Sequence, residues 1–113
     1  MASELARKEC VPCKGGVPPL KGADLEDLQR RLGQGWQVID EHHLEKEYKL
    51  GDWKGAVEFV NRISDLAEQQ DHHPDIHLSY GKVKVQIWTH KIDGLTESEF
   101  VFAAKVEELP RQT

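Results

Sequence analysis

Positive charge is the first thing this sequence is short of. Fifteen Lys and Arg face twenty Asp and Glu in 113 residues, a net charge of −5, and no stretch gathers the cations together. A nucleic-acid binder neutralises phosphates with a clustered basic patch, so no nucleic-acid partner is expected. Long apolar runs are missing too. None approaches the roughly 20 residues that cross a bilayer, so no membrane partner is expected either. The opening MASELARKEC is charged and lacks an apolar core, unlike a secretory signal, and its two acidic residues fit a transit peptide poorly. The expected compartment is the cytoplasm.

Cysteine is scarce. Cys10 and Cys13 are the whole supply, and in the cytoplasm both stay thiols. Their CxxC spacing makes half a zinc site, but four ligands are needed and no second CxxC exists. His42 and His43 are the residues available to complete it. A thioredoxin-like motif follows a strand and opens a helix, and no strand precedes this one. The pair reads as an inert feature of a tail.

Internal repeats are absent as well. At 113 residues, 38% hydrophobic and 31% charged, the chain holds one globular domain and one core. A domain of this size is marginal alone, which favours a homo-oligomer, a dimer or a tetramer.

The pattern begins after a tail. Residues 1–21 carry Gly15, Gly16, Pro18 and Pro19 without any period, leaving 22–113 as the domain. Leu25, Leu28 and Leu32 recur at helical spacing over Ala23–Leu32, and Gly33 follows as a stop. Trp36 to Asp40 and Leu44 to Leu50 read as an antiparallel hairpin with His42 and His43 near its turn. Asp52 can cap the longest helix. Trp53, Ala56, Val57, Val60, Ile63 and Ala67 form its stripe, flanked by Phe59 and Leu66, and Pro74 is the expected stop. Ile76–Tyr80 and Val83–His90 alternate with period two about Gly81. Thr96-Glu97-Ser98-Glu99 is a capping-box pattern for a last helix that stops before Pro110. The expected fold is α+β: a four-stranded antiparallel sheet with three helices on one face, in the order α-β-β-α-β-β-α.

The chemistry concentrates in Glu68-Gln69-Gln70-Asp71-His72-His73-Pro74. Glu68 and His72 stand four apart on one helical face, so the carboxylate is expected to orient that ring and favour its protonated form. The helix C-terminus favours a cation as well. Such an imidazole donates a proton near neutral pH. Pro74 turns His73 out of the helix toward another side of the same pocket. On its own, an HHP run equally suits a solvated helix end. His90 adds weight, because it shares the parity of Lys84, Gln86 and Trp88, away from the valines, beside an indole able to lie against a flat heterocycle. His72, His73 and His77 beside Asp71 and Asp75 also suggest a metal site. The spacing is not HExxH, however, and Pro74 keeps His73 and His77 off a common helix, so no metal is expected and His77 is expected to face solvent.

Glu68-x3-His72-His73-Pro74, five residues to Tyr80 and nine more to His90 together resemble the signature of the pterin-4a-carbinolamine dehydratases. These proteins are also known as dimerisation cofactors of a homeodomain transcription factor. Cys10-Val11-Pro12-Cys13-Lys14-Gly15-Gly16, Gly35-Trp36, Phe59-Val60-Asn61 and Thr89-His90 through Gly94-Leu95-Thr96 look like the bacterial and plant branch. The resemblance implies an α+β sandwich. It also implies elimination of water from 4a-hydroxytetrahydrobiopterin to quinonoid dihydrobiopterin, in tetrahydrobiopterin recycling, with a pterin as substrate and no cofactor.

By the same resemblance His72, His73 and His90 match the three active-site histidines, Glu68 the helix carboxylate, and Asp71 a residue lining the pterin pocket. Trp88 and Thr89 join them as expected substrate supports. We assign proton transfer to His72 and His90 and pterin binding to His73, an assignment that permutes freely. One position departs from the family. An Asp is expected nine residues after the last histidine, and here Glu99 stands there. As N3 of a capping box it reads as structural, with a catalytic supporting role open. The competing class is a binding module, since the family's animal members also stabilise a dimerisation helix, and the wide helical stripe would serve that role.

Overall fold

The computed structural model describes residues 5–7 and 18–110. Its elements run α1 (Ala23–Leu32), β1 (Gln37–Ile39), β2 (His43–Lys49), α2 (Trp53–Gln70), β3 (Asp75–Ser79), β4 (Lys82–Ile87) and α3 (Glu97–Glu107). The expected order of three helices and four strands is realised. Cys10 and Cys13 lie outside the described residues.

The sheet is antiparallel throughout, in the order β1-β2-β4-β3. Its register sets Leu44 opposite Ile87, Tyr48 opposite Val83 and Ile76 opposite Val85, which puts one parity of every strand on one face. Leu44, Tyr48, Val83, Val85 and Ile87 are all buried on that face, in one core with Ala56, Phe59 and Ile63 of α2 and Phe100 and Phe102 of α3. The opposite parity carries Glu45, Glu47, Lys84 and Gln86. At the outer edge, Leu78 and Tyr80 of the expected apolar alternation are exposed. An edge strand has a neighbour on one side only, so the periodic pattern outruns the core there.

α3 is apolar on nearly every side, with Phe100 to Ala104 and Val106 all buried. Such a helix must be covered all round. A 3₁₀ turn, Leu5–Arg7, contributes to that cover: Leu5 is only 1% exposed, and Lys105 Nζ donates to the Ala6 carbonyl at 2.8 Å.

α2 departs from expectation at both ends. Its buried line is Ala56, Phe59, Ile63, Leu66 and Ala67, whereas Trp53 is 50% exposed and Val57 and Val60 are half-buried. Pro74 is not what stops it. Asp71 adopts a left-handed conformation (φ 51°, ψ 44°), and the Asp71 and His72 amides both turn back to the Ala67 carbonyl. This is a left-handed helix cap, and Asp tolerates it better than most residues. His72 therefore lies just beyond the helix.

Candidate active site

That cap decides where the two adjacent histidines go. Once the chain has turned through Asp71, His72 no longer extends the helical face that Glu68 occupies. The expected Glu68–His72 pair is not formed. Glu68 Oε2 instead accepts from His73 Nε2 at 2.6 Å, with both side chains more than half exposed. His72 turns inward, packs against the Phe102 ring (centroids 5.7 Å) and donates from Nε2 to Glu99 Oε2 at 2.8 Å. The carboxylate of Asp71 is exposed.

Glu99 is fully buried, and four donors converge on it. On Oε1 it accepts from the Thr96 amide and from Thr96 Oγ1, completing the capping box that starts α3. On Oε2 it accepts from His72 and from Thr89 Oγ1, the latter at 2.6 Å. With both oxygens accepting, the buried polar group is satisfied. Glu99 is thus a helix cap and an imidazole partner at once. The bond to Glu99 makes Nε2 the protonated nitrogen of a neutral His72 and leaves Nδ1 for a ligand.

Thr89 ties the next strand end to the same carboxylate. β4 stops at Ile87, so His90 does not close the strand as its parity suggested. The chain turns instead, with Thr89 and Gly94 paired across the turn through N–H···O bonds of 2.8 and 3.3 Å. His90 sits in that turn, exposed, its ring 4.5 Å from the Trp88 ring. His72 and Thr89 therefore meet on Glu99, His73 meets Glu68, and His90 meets Trp88. His77 stands apart on the open sheet face, donating to Gln86 Oε1 at 3.0 Å.

Sequence reasoning missed that His42 and His43 reach this region. Their rings lie 5.0 and 5.8 Å from that of Trp88. The pairing of β2 with β4, strands separated by α2 and β3 in the chain, sets Leu44 opposite Ile87 and so His43 across from Trp88, and no local pattern in the sequence marks it. Among the described residues no three His, Cys, Asp or Glu are arranged to hold a metal. No described helix is long and apolar enough to cross a membrane.

Comparison with known proteins gives a consistent answer. The family model described as pterin 4 alpha carbinolamine dehydratase matches residues 18–109. A Rubrobacter xylanophilus protein, named as a candidate pterin-4-alpha-carbinolamine dehydratase, is 61% identical over 107 residues, 95% of this chain and 99% of its own. One of the same name from Alkaliphilus metalliredigens is 50% identical over 94% of this chain and 96% of its own. Among solved structures, a transcriptional coactivator/pterin dehydratase from Brucella melitensis superposes with a TM-score of 0.73 at 30% identity, covering 79% of this chain and 95% of that one.

Proposed function

Because the chain belongs to the pterin 4 alpha carbinolamine dehydratase family of hydro-lyases, we propose that it eliminates water from 4a-hydroxytetrahydrobiopterin to give quinonoid 6,7-dihydrobiopterin. The C4a–O bond breaks, the departing hydroxyl takes a proton, and N5 loses one as the C4a–N5 double bond forms. Both transfers suit imidazoles near neutral pH. The observation that carries this reading is the convergence of His72 and Thr89 on the buried Glu99. It fixes one imidazole, its Nδ1 without a partner among the described residues, and anchors the start of the turn that carries His90 beside Trp88.

In this reading His72 and His90 exchange the two protons. His73, steadied by Glu68, holds the pterin beside Asp71, and Trp88 offers a flat apolar surface. Adding the purified protein to chemically generated 4a-hydroxytetrahydropterin and following absorbance tests the activity. Dehydration faster than in buffer is expected, and no acceleration at micromolar protein would refute it. In the same assay His90→Ala should lower kcat, His73→Ala should mainly raise KM, and His77→Ala should be silent. A His77 effect as large as that of His73 would place the site elsewhere.

Self-association belongs to the same proposal. Trp53, Val57 and Val60 recur at i, i+4 and i+7 on the less covered side of α2. An apolar strip of this kind on a small domain suits packing against another copy. Light scattering at micromolar concentration should give a dimeric or tetrameric mass, and a monomeric mass would contradict it.

A further inference from the structure

His72 and His73 each rest on a carboxylate, but His90 does not. Among the described residues its imidazole makes no hydrogen bond or ion pair. Its orientation depends on the Trp88 ring and on the Thr89–Gly94 turn that carries it. A proton-transfer group must be held within a fraction of an ångström of its working geometry. Thr89 ties the first end of that turn to Glu99, so the far end, past His90, needs its own anchor.

His42 touches both supports. Its Nε2–H donates to Asp93 Oδ1 at 2.7 Å, and its ring packs 5.0 Å from that of Trp88. Asp93 sits at the end of the turn in a left-handed conformation (φ 52°), its amide donating to the His90 carbonyl at 3.2 Å. Behind His42 stands His43. The two Nδ1 atoms are 3.1 Å apart, the His43 ring packs 5.8 Å from Trp88, and His43 Nε2 lies 3.4 Å from Glu45 Oε1. That last contact is long, and His43 Nε2 has no closer acceptor. Glu45 is itself held by Gln86 Nε2 at 2.7 Å. This amide keeps its carboxyl below the usual range against partial burial, with His43 and Lys84 acting in the same direction. Both ends of the run Asp93–His42–His43–Glu45 are acceptors.

We propose that His42 is a positioning residue for His90: together with Asp93 and His43 it latches the Thr89–Gly94 turn and sets the His90 imidazole against Trp88. The proposal rests on the reading of His90 as a proton-transfer group. His42→Leu should lower kcat about tenfold with KM changed less than about twofold, because misplacing a reacting group costs turnover before affinity. His42→Gln puts an amide donor at similar reach and should restore most of the rate. Asp93→Asn tolerates the left-handed backbone but loses the charge, and combined with His42→Leu it should cost no more than the worse single change. Lys91→Ala, exposed in the same turn, should act like the parent.

A second readout is independent of activity. The His90 imidazole carbon-bound proton signals, assigned by their loss in His90→Ala, should shift or broaden in His42→Leu. Unchanged His90 signals, additive losses in the double variant, or a drop in melting temperature at parental kcat would each overturn the latch. If the parent protein fails to dehydrate the pterin, the catalytic reading falls, and the His90 signals alone still decide whether the latch exists.

Discussion

Glu99→Gln should lower kcat on the order of 10²-fold while leaving the protein folded. Glutamine can keep the capping-box half of the side chain, because its carbonyl oxygen accepts from Thr96 as Oε1 does now. The other half becomes an NH₂ that meets the Nε2–H of His72 donor to donor, while the Thr89 hydroxyl can rotate to accept from it. His72 then loses the acceptor that fixes its protonated nitrogen, and an opposed donor pair remains beside it. Flipping the amide would repair His72 at the cost of the cap, trading turnover for stability. His72→Ala, which removes the imidazole itself, should lose roughly 10²- to 10⁴-fold. Steady-state kinetics alongside a thermal melt separate these outcomes. A Gln variant at parental kcat would leave Glu99 a helix cap and nothing more.

The largest stability effect is expected at the other end of α3. Trp36 Nε1 (3.1 Å), Lys46 Nζ (2.8 Å) and the Tyr48 hydroxyl all donate to Glu107 Oε2, a side chain only 6% exposed. This one carboxylate joins the last turn of α3 to β2 and to the residue that leads into β1. Glu107→Ala removes at one stroke the acceptor shared by a largely buried ammonium and two aromatic side chains. Removing one partner of a buried pair costs about 3–5 kcal/mol. Lys46 retains its bond to the Gln34 carbonyl, which favours the lower figure, about 3 kcal/mol. For a domain of this length that lowers the melting temperature by roughly 10–20 °C. Below the transition, turnover should survive, since the donors described on Glu107 are Trp36, Lys46 and Tyr48 and not the histidines. A melting temperature within about 3 °C of the parent would show that water replaces the carboxylate at little cost.

What was legible in the sequence was whatever repeats or caps. Leu25, Leu28 and Leu32, the alternation of Val83, Val85 and Ile87, and the box from Thr96 to Glu99 each describe their own neighbourhood, and each forms as expected. Failures came where one local rule had to outrank another. The i,i+4 rule joins Glu68 to His72 only if the helix continues, and the left-handed turn at Asp71 ends it one residue too soon. Pro74 was the visible stop, while Asp71 carries no such mark in its identity. Parity put His90 on a strand that stops at Ile87, because the tight Thr89–Gly94 turn replaces the ladder. Contacts across distant segments, His42 with Asp93 or Glu107 with Trp36, leave no periodic trace in a single sequence. The family resemblance named Glu68 and Glu99 beside the histidines, but not which carboxylate meets which ring.

Glu99 has a consequence for how the protein breathes. Helix ends fray, and local opening of a first turn costs far less than global unfolding. The amide of Thr96 and the His72 ring are held by the two oxygens of one carboxylate, so a fraying event that carries the Glu99 side chain out of place releases both. Hydrogen exchange at the Thr96 amide therefore reports, among its openings, those in which His72 loses its acceptor as well, so exchange there should speed up in variants that loosen Glu99.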